Sequence, residues 1–125
     1  MQIVIVGGPR TGKTTMSEQI PGYRRSTDET MGMEWSKGSD EVSRWFDVAG
    51  QWVIEGVATA RALRKWLAKN KSNVKPCDRV IVLEHAHVGL KPGQDSMGKG
   101  VMTVWREIEP ELRRRGVEIV RSACS

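Results

Sequence analysis

Four residues near the start of the chain have the types and spacing to grip phosphate. Gly7, Gly12, Lys13 and Thr14 complete the pattern G-x-x-x-x-G-K-[ST] within GGPRTGKTT, residues 7–15. Each position has a physical task. Glycine lets the backbone curl so that successive N–H groups aim at one anion. The segment Gly7, Gly8, Pro9, Arg10, Thr11 and Gly12 makes the curl, and the helix that begins at Gly12 and carries Lys13, Thr14 and Thr15 has an electropositive N-terminal end. The Lys13 ammonium has the reach for β- and γ-phosphates, and the Thr14 hydroxyl suits Mg²⁺. A β-branched run, QIVIV at 2–6, precedes the loop and a helical pattern follows it, which is the context the motif requires. These residues predict a loop that binds a nucleoside triphosphate with Mg²⁺.

Such a loop must be held by the elements around it. Apolar, β-branched runs predict strands over 2–6, 52–57, 78–84 and 117–120, with a more polar one over 23–27. A helix is predicted from about 12 to 19, stopped by Pro21 and Gly22. Ser39 and Asp40 read as an N-cap before EVSRWFDVA, 41–49. Residues 58–70 are rich in strong helix formers and put Leu63, Trp66 and Leu67 on one face. A polar linker, NKSNVKP, follows. Residues 85–102 carry four glycines and a proline and predict a long loop. Thr103 then reads as the cap of a helix over 103–116 that Pro110 should kink or split. Strand and helix alternate almost throughout. That pattern predicts one α/β domain over 1–125, with about five parallel strands and helices on both faces. Ligands of such folds bind at the carboxyl ends of the strands, where GGPRTGKTT lies.

With the glycine loop in place, the chain resembles the P-loop kinase group: adenylate and other nucleoside monophosphate kinases, shikimate-type kinases and polynucleotide kinases. Two further segments carry the resemblance. RRSTDE, 24–29, is similar to the end of the second strand in small kinases, where an acidic residue faces the phosphoryl acceptor. WVIEGVATARALRKW, 52–66, is similar to the strand–loop–helix of adenylate-type kinases, in which an acidic residue and a glycine end the strand and a substrate-binding arginine follows. The resemblance implies a three-layer P-loop NTPase fold. It implies that Asp28 holds or deprotonates the acceptor hydroxyl, that Glu55 is the carboxylate beside the Mg²⁺ site, and that Arg61 or Arg64 clamps an acceptor phosphate. Arg61 stands further from the acidic–glycine pair than the arginine of adenylate-type kinases does. Plainer roles stay open for the same residues: Asp28 as the cap of a helix over 28–33, and Arg61 and Arg64 as solvated charges three apart on one helical face. Glu55 closes an apolar strand, and a charge there needs a partner.

In adenylate-type kinases a lid with arginines closes over the phosphates. The matching stretch here, 85–102, contains no arginine; Lys91 and Lys99 are its cations, Lys99 lies within a flexible MGKG, and Arg106 could substitute. A lysine is a point charge and a poorer phosphate fork than arginine. The stretch is either such a lid or a plain surface loop. In EHAH, His85 and His87 share a face of an extended segment, but a zinc site needs three or four ligands and no Cys pair stands near. ELRRRG suits the negative end of a helix, with a nucleic-acid contact as the rival explanation.

A net charge of +5 favours an anionic partner. Cys77 and Cys124 read as free thiols of a reducing, cytoplasmic chain. No apolar run approaches the roughly 18 residues of a membrane span, and MQIVIVGG is too short for a signal peptide. The expectation is therefore an ATP- and Mg²⁺-dependent kinase of a nucleotide or nucleoside, short for its group and without a large substrate-binding insert. A polynucleotide 5′-hydroxyl kinase is the second expectation. The third is a P-loop ATPase or switch that phosphorylates nothing. The GTPase form lacks an NKxD motif. An AAA-type motor is disfavoured by length and by the absence of a two-acid strand end with an arginine finger.

Overall fold

The structure, a computed structural model, describes residues 1–8, 13–30, 32–83 and 93–122. Five strands form one all-parallel sheet: β1 (Gln2–Gly7), β2 (Tyr23–Ser26), β3 (Trp52–Gly56), β4 (Arg79–Leu83) and β5 (Glu118–Ser122), in the spatial order β2-β3-β1-β4-β5. Between them run α1 (Lys13–Glu18), a 3₁₀ turn (Thr27–Thr30), α2 (Trp35–Trp45), α3 (Thr59–Lys69) and α4 (Gln94–Arg114). The strand runs expected from the sequence and the helix over 58–70 are all present within a residue or two.

The strand order decides where the helices lie. The step from β1 to β2 runs across the sheet in one direction, and the three later steps run in the other. Crossovers between parallel strands are right-handed, so α1 must land on one face and α2, α3 and α4 on the opposite one. The core divides accordingly. Val4, Val6, Ile54, Val80 and Val82 pack with Trp45, Leu63, Trp66, Trp105 and Leu112 of the three longer helices. Their strand neighbours Ile3, Ile5, Val53 and Leu83 face the other way, onto Met16 and Ile20 of the α1 segment. Among the described residues no acceptor meets the indole N–H of the fully buried Trp105, a cost of about 1–3 kcal/mol that the ring's large buried area offsets.

Two helices begin earlier than their sequence signals suggest. α2 starts at Trp35, so Ser39 and Asp40 are interior residues and not its cap. The Ser39 hydroxyl donates to the Trp35 carbonyl (2.8 Å), which satisfies it inside the helix. Asp40 accepts from Lys65 (3.1 Å) and Lys69 (3.4 Å) and so ties α2 to α3. α4 takes in the second half of the expected long loop. Lys99, Gly98 and Gly100 are helical, and the Thr103 hydroxyl donates to the Lys99 carbonyl (2.9 Å) instead of capping a new helix. Each helical glycine costs about 1 kcal/mol against alanine. The apolar stripe of Val101, Val104, Trp105, Ile108 and Leu112 carries the helix across them. Pro110 does not split it, because Pro110 and Arg106 are both exposed and water can serve the carbonyl that the proline cannot.

The basic end of α4 is a clamp. Arg113 pairs with Glu109, and Arg114 with Glu111. Arg115, with 5% of its side chain exposed, donates to Glu111 and to the carbonyls of Leu67, Lys71 and Val74, closing α4 over the end of α3 and the linker after it. Hydrogen bonds from Arg114 and Arg115 hold the Glu111 carboxyl down at about 2. Each arginine of ELRRRG thus has an acidic partner within the chain. Cys77 is buried, and burial pushes its thiol up, so it stays protonated. Cys124 lies outside the described residues. Among the described residues no helix is long and apolar enough to cross a membrane.

Candidate functional site

A cleft of about 590 Å³ opens at the carboxyl ends of β1, β2 and β3, and Lys13, Asp28 and Glu55 all line it. The register explains the meeting. Ile5 pairs with Glu55, Val6 with Gly56, and Ser26 with Glu55, so the three strands finish level. Neighbouring β1 and β3 also send their following helices to opposite faces. A crevice at such a switch point is where open parallel sheets bind ligands.

Lys13 is the first residue of α1 and is 9% exposed. Its ammonium donates to the Gly8 carbonyl at 2.6 Å. Burial lowers its pKa, and the charges of Glu55 and then Asp28 oppose that shift. Glu55 is 2% exposed. It sits one place before the end of β3, on the same face of the sheet as Val53 and α1, which brings it to Lys13. A carboxylate so buried needs a compensating charge, and among the described residues the Lys13 ammonium supplies it.

The turn after β3 is clipped in place. The Thr59 hydroxyl lies 2.8 Å from the Gly56 carbonyl oxygen and 3.1 Å from that of Ile5, and it shares its one proton between them. The Ala58 N–H donates to the Thr27 hydroxyl at 3.5 Å. Gly56 itself has φ 142°, and a Cβ there would stand 1.8 Å from the Thr27 Oγ1. Only glycine permits this approach, which fixes Thr27 and hence the adjoining Asp28. Gly56→Ala combines that clash with a strained φ, and is expected to destabilise the protein by about 2–5 kcal/mol. Chemical denaturation measures it. Adding Thr27→Gly removes the clash but not the strain, so it should recover only part of the loss.

Asp28 is exposed, and its N–H donates to the Ser26 hydroxyl at 3.2 Å. It is the second residue of a four-residue 3₁₀ turn and not the cap of a helix over 28–33. The arginines are placed elsewhere. Arg64 pairs with Glu107 of α4 at 3.0 Å. The Arg61 guanidinium lies over the Trp35 ring, 5.4 Å from its centroid. Neither lines the cleft.

Gly7 ends β1 and pairs with Leu83. A Cβ on Gly8 would stand 2.7 Å from the Gly98 Cα. The sequence MGKG is thus a helical contact against the start of the loop, and Lys99 is an exposed residue of α4 beside it, helical rather than in a loop. Pro9, Arg10, Thr11 and Gly12 lie outside the described residues, as do the side chains of Thr14 and Thr15 and the whole of 84–92, with His85, His87 and Lys91. Among the described residues no three His, Cys, Asp or Glu side chains group as metal ligands. Mg²⁺ at a phosphate site needs no such cluster, since it keeps several waters and takes phosphate oxygens with one or two protein ligands.

Sequence reasoning missed the other wall of the cleft, which Met33, Glu34, Trp35 and Met97 help to line. A tryptophan closely following two methionines in TMGMEWS was the available signal. Compared with known proteins, the chain matches no family model and no curated protein.

Proposed function

We propose that the chain is a small P-loop kinase, an α/β three-layer phosphotransferase that moves the γ-phosphoryl group of ATP to a nucleotide or nucleoside. One observation carries this above the others: the lysine of GGPRTGKT, a buried carboxylate and an exposed carboxylate all line one cleft at the switch point of a parallel sheet. The donor set suits a nucleoside triphosphate with Mg²⁺. Lys13 brings a buried positive charge, and the backbone of residues 7–12 and the Thr14 hydroxyl lie next to it in sequence. Mg²⁺ would supply charge neutralisation on the phosphates, and the Thr14 hydroxyl and Glu55 are the residues that would hold it. Lys13 holds the phosphates, Glu55 holds the metal's water shell, and Asp28 orients the acceptor and takes its proton. Positioning and charge neutralisation then supply most of the catalysis.

The deciding experiment offers labelled ATP against nucleosides, nucleoside monophosphates and 5′-hydroxyl oligonucleotides. Label transferred to a nucleoside or monophosphate supports the reading. Transfer confined to oligonucleotides makes the protein a polynucleotide 5′-hydroxyl kinase. Release of inorganic phosphate alone makes it an ATPase or switch. Failure to bind ATP with Mg²⁺ overturns all three.

A further inference from the structure

The far wall of the cleft differs from the end that holds Lys13. Met33 and Trp35 are each 51% exposed and Met97 is 39% exposed, yet all three line the same cavity. Large apolar groups left open in a concave site mark a surface that takes an apolar face from a ligand. Trp35 opens α2, and Arg61 braces its ring from α3. Three carboxylates, Asp28, Glu34 and Glu55, share the lining, and among its described residues Lys13 is the one cation. The arginines that could greet a second phosphate are spent on other partners: Arg24 on Glu18, Arg25 on Glu29 and the face of Trp45, Arg61 on Trp35, and Arg64 on Glu107.

A nucleoside monophosphate would bring about two negative charges to a wall that already carries carboxylates and, among its described residues, offers no arginine. An uncharged nucleoside meets the opposite situation. Its base has a π-face for Trp35 and the two methionines, and its hydroxyls and exocyclic amines are donors for Glu34 and Asp28. Resting on the kinase reading, we propose that the acceptor is an unphosphorylated nucleoside unit, with its base stacked on Trp35 and a free hydroxyl at Asp28. Transfer forms a bond from the acceptor oxygen to the γ-phosphorus and breaks the bond from that phosphorus to the β,γ-bridging oxygen. ADP leaves, and the hydroxyl proton passes to the Asp28 carboxylate and then to water. The unit is either a free nucleoside or the 5′-terminal residue of an oligonucleotide, since both present the same chemistry.

Calorimetry tests this with adenosine, guanosine, cytidine and thymidine, their 5′-monophosphates, and short oligonucleotides with and without a 5′-phosphate. Trp45, Trp52, Trp66 and Trp105 are buried, so fluorescence quenching in the unmodified chain reports on Trp35. At least one unphosphorylated compound should bind about tenfold or more tightly than its 5′-phosphorylated partner and should quench that fluorescence. Trp35→Ala should weaken it about tenfold or more and Trp35→Phe by no more than about threefold, with ATP affinity unchanged in both. An oligonucleotide preferred over every free nucleoside assigns the terminal residue, and equal affinities assign the free nucleoside. Phosphorylated compounds binding as tightly, no unphosphorylated compound binding at all, or affinity that survives Trp35→Ala each overturn the proposal. Binding with the expected pattern but no transfer of label keeps the binding assignment and overturns the kinase reading instead. Transfer to monophosphates alone does the reverse.

Discussion

Lys13→Ala is expected to lower phosphoryl transfer by about a thousandfold or more, the scale of losing a charge placed on the transferred group. A mutant with near-full activity would end the kinase reading. The structure adds a second consequence. Lys13 and Glu55 are both buried and their charges attract, so loss of Lys13 leaves a carboxylate without that compensating charge. About 1–3 kcal/mol of stability should go with it, since the site still opens on a cleft that water can enter. Chemical denaturation of the double variant Lys13→Ala/Glu55→Gln separates the two effects. Removing both charges should return much of the stability and none of the activity. If activity returned with stability, Lys13 would be structural.

Asp28→Asn is the next largest expected effect. For a hydroxyl acceptor, turnover should fall by about a hundredfold or more, with ATP binding almost unchanged, because the asparagine keeps the shape of the side chain and one acceptor oxygen but cannot take a proton. For a monophosphate acceptor the loss should be mild, and Arg61→Ala or Arg64→Ala should raise the acceptor KM instead. Steady-state kinetics with each acceptor class discriminates. The engagement of Arg61 with Trp35 and of Arg64 with Glu107 favours the first outcome.

Much of the scaffold was legible because its signals are local. IVIV, WVI and RVIV are β-branched or apolar runs long enough to be buried strands, and residues 59–69 are strong helix formers. The errors arose where a contact distant in sequence overrode a local preference. Ser39 has the composition of a cap but is buried in mid-helix, with its hydroxyl returned to Trp35. Gly98 and Gly100 look like loop residues, yet burial of Val101, Val104 and Trp105 keeps them helical. The candidate site divides in the same way. Lys13 was legible from the spacing of the glycine loop, and Asp28 and Glu55 from the resemblance of their segments to those of P-loop kinases. The Thr27–Gly56 approach, the Gly8–Gly98 contact and the wall of Trp35 and Met97 depend on how separate elements meet, and no spacing encodes them.

The two faces of the sheet differ in thickness, and that sets an order of opening. One face lies under three helices of eleven residues or more; on the other, among the described residues, Ile3, Ile5, Val53 and Leu83 are sealed by the six-residue α1 and the turn that ends it. A helix so short has no stability of its own and is ordered by what Met16 and Ile20 bury. The same helix begins at Lys13. Amide hydrogens of α1 are therefore expected to exchange through local fraying, at a free energy below that of global unfolding, while those in the buried middle of α3 and α4 should exchange only when the whole molecule opens. Any ligand that holds Lys13 in place gives up part of its affinity to that fraying equilibrium and should slow exchange across the thin face as it binds.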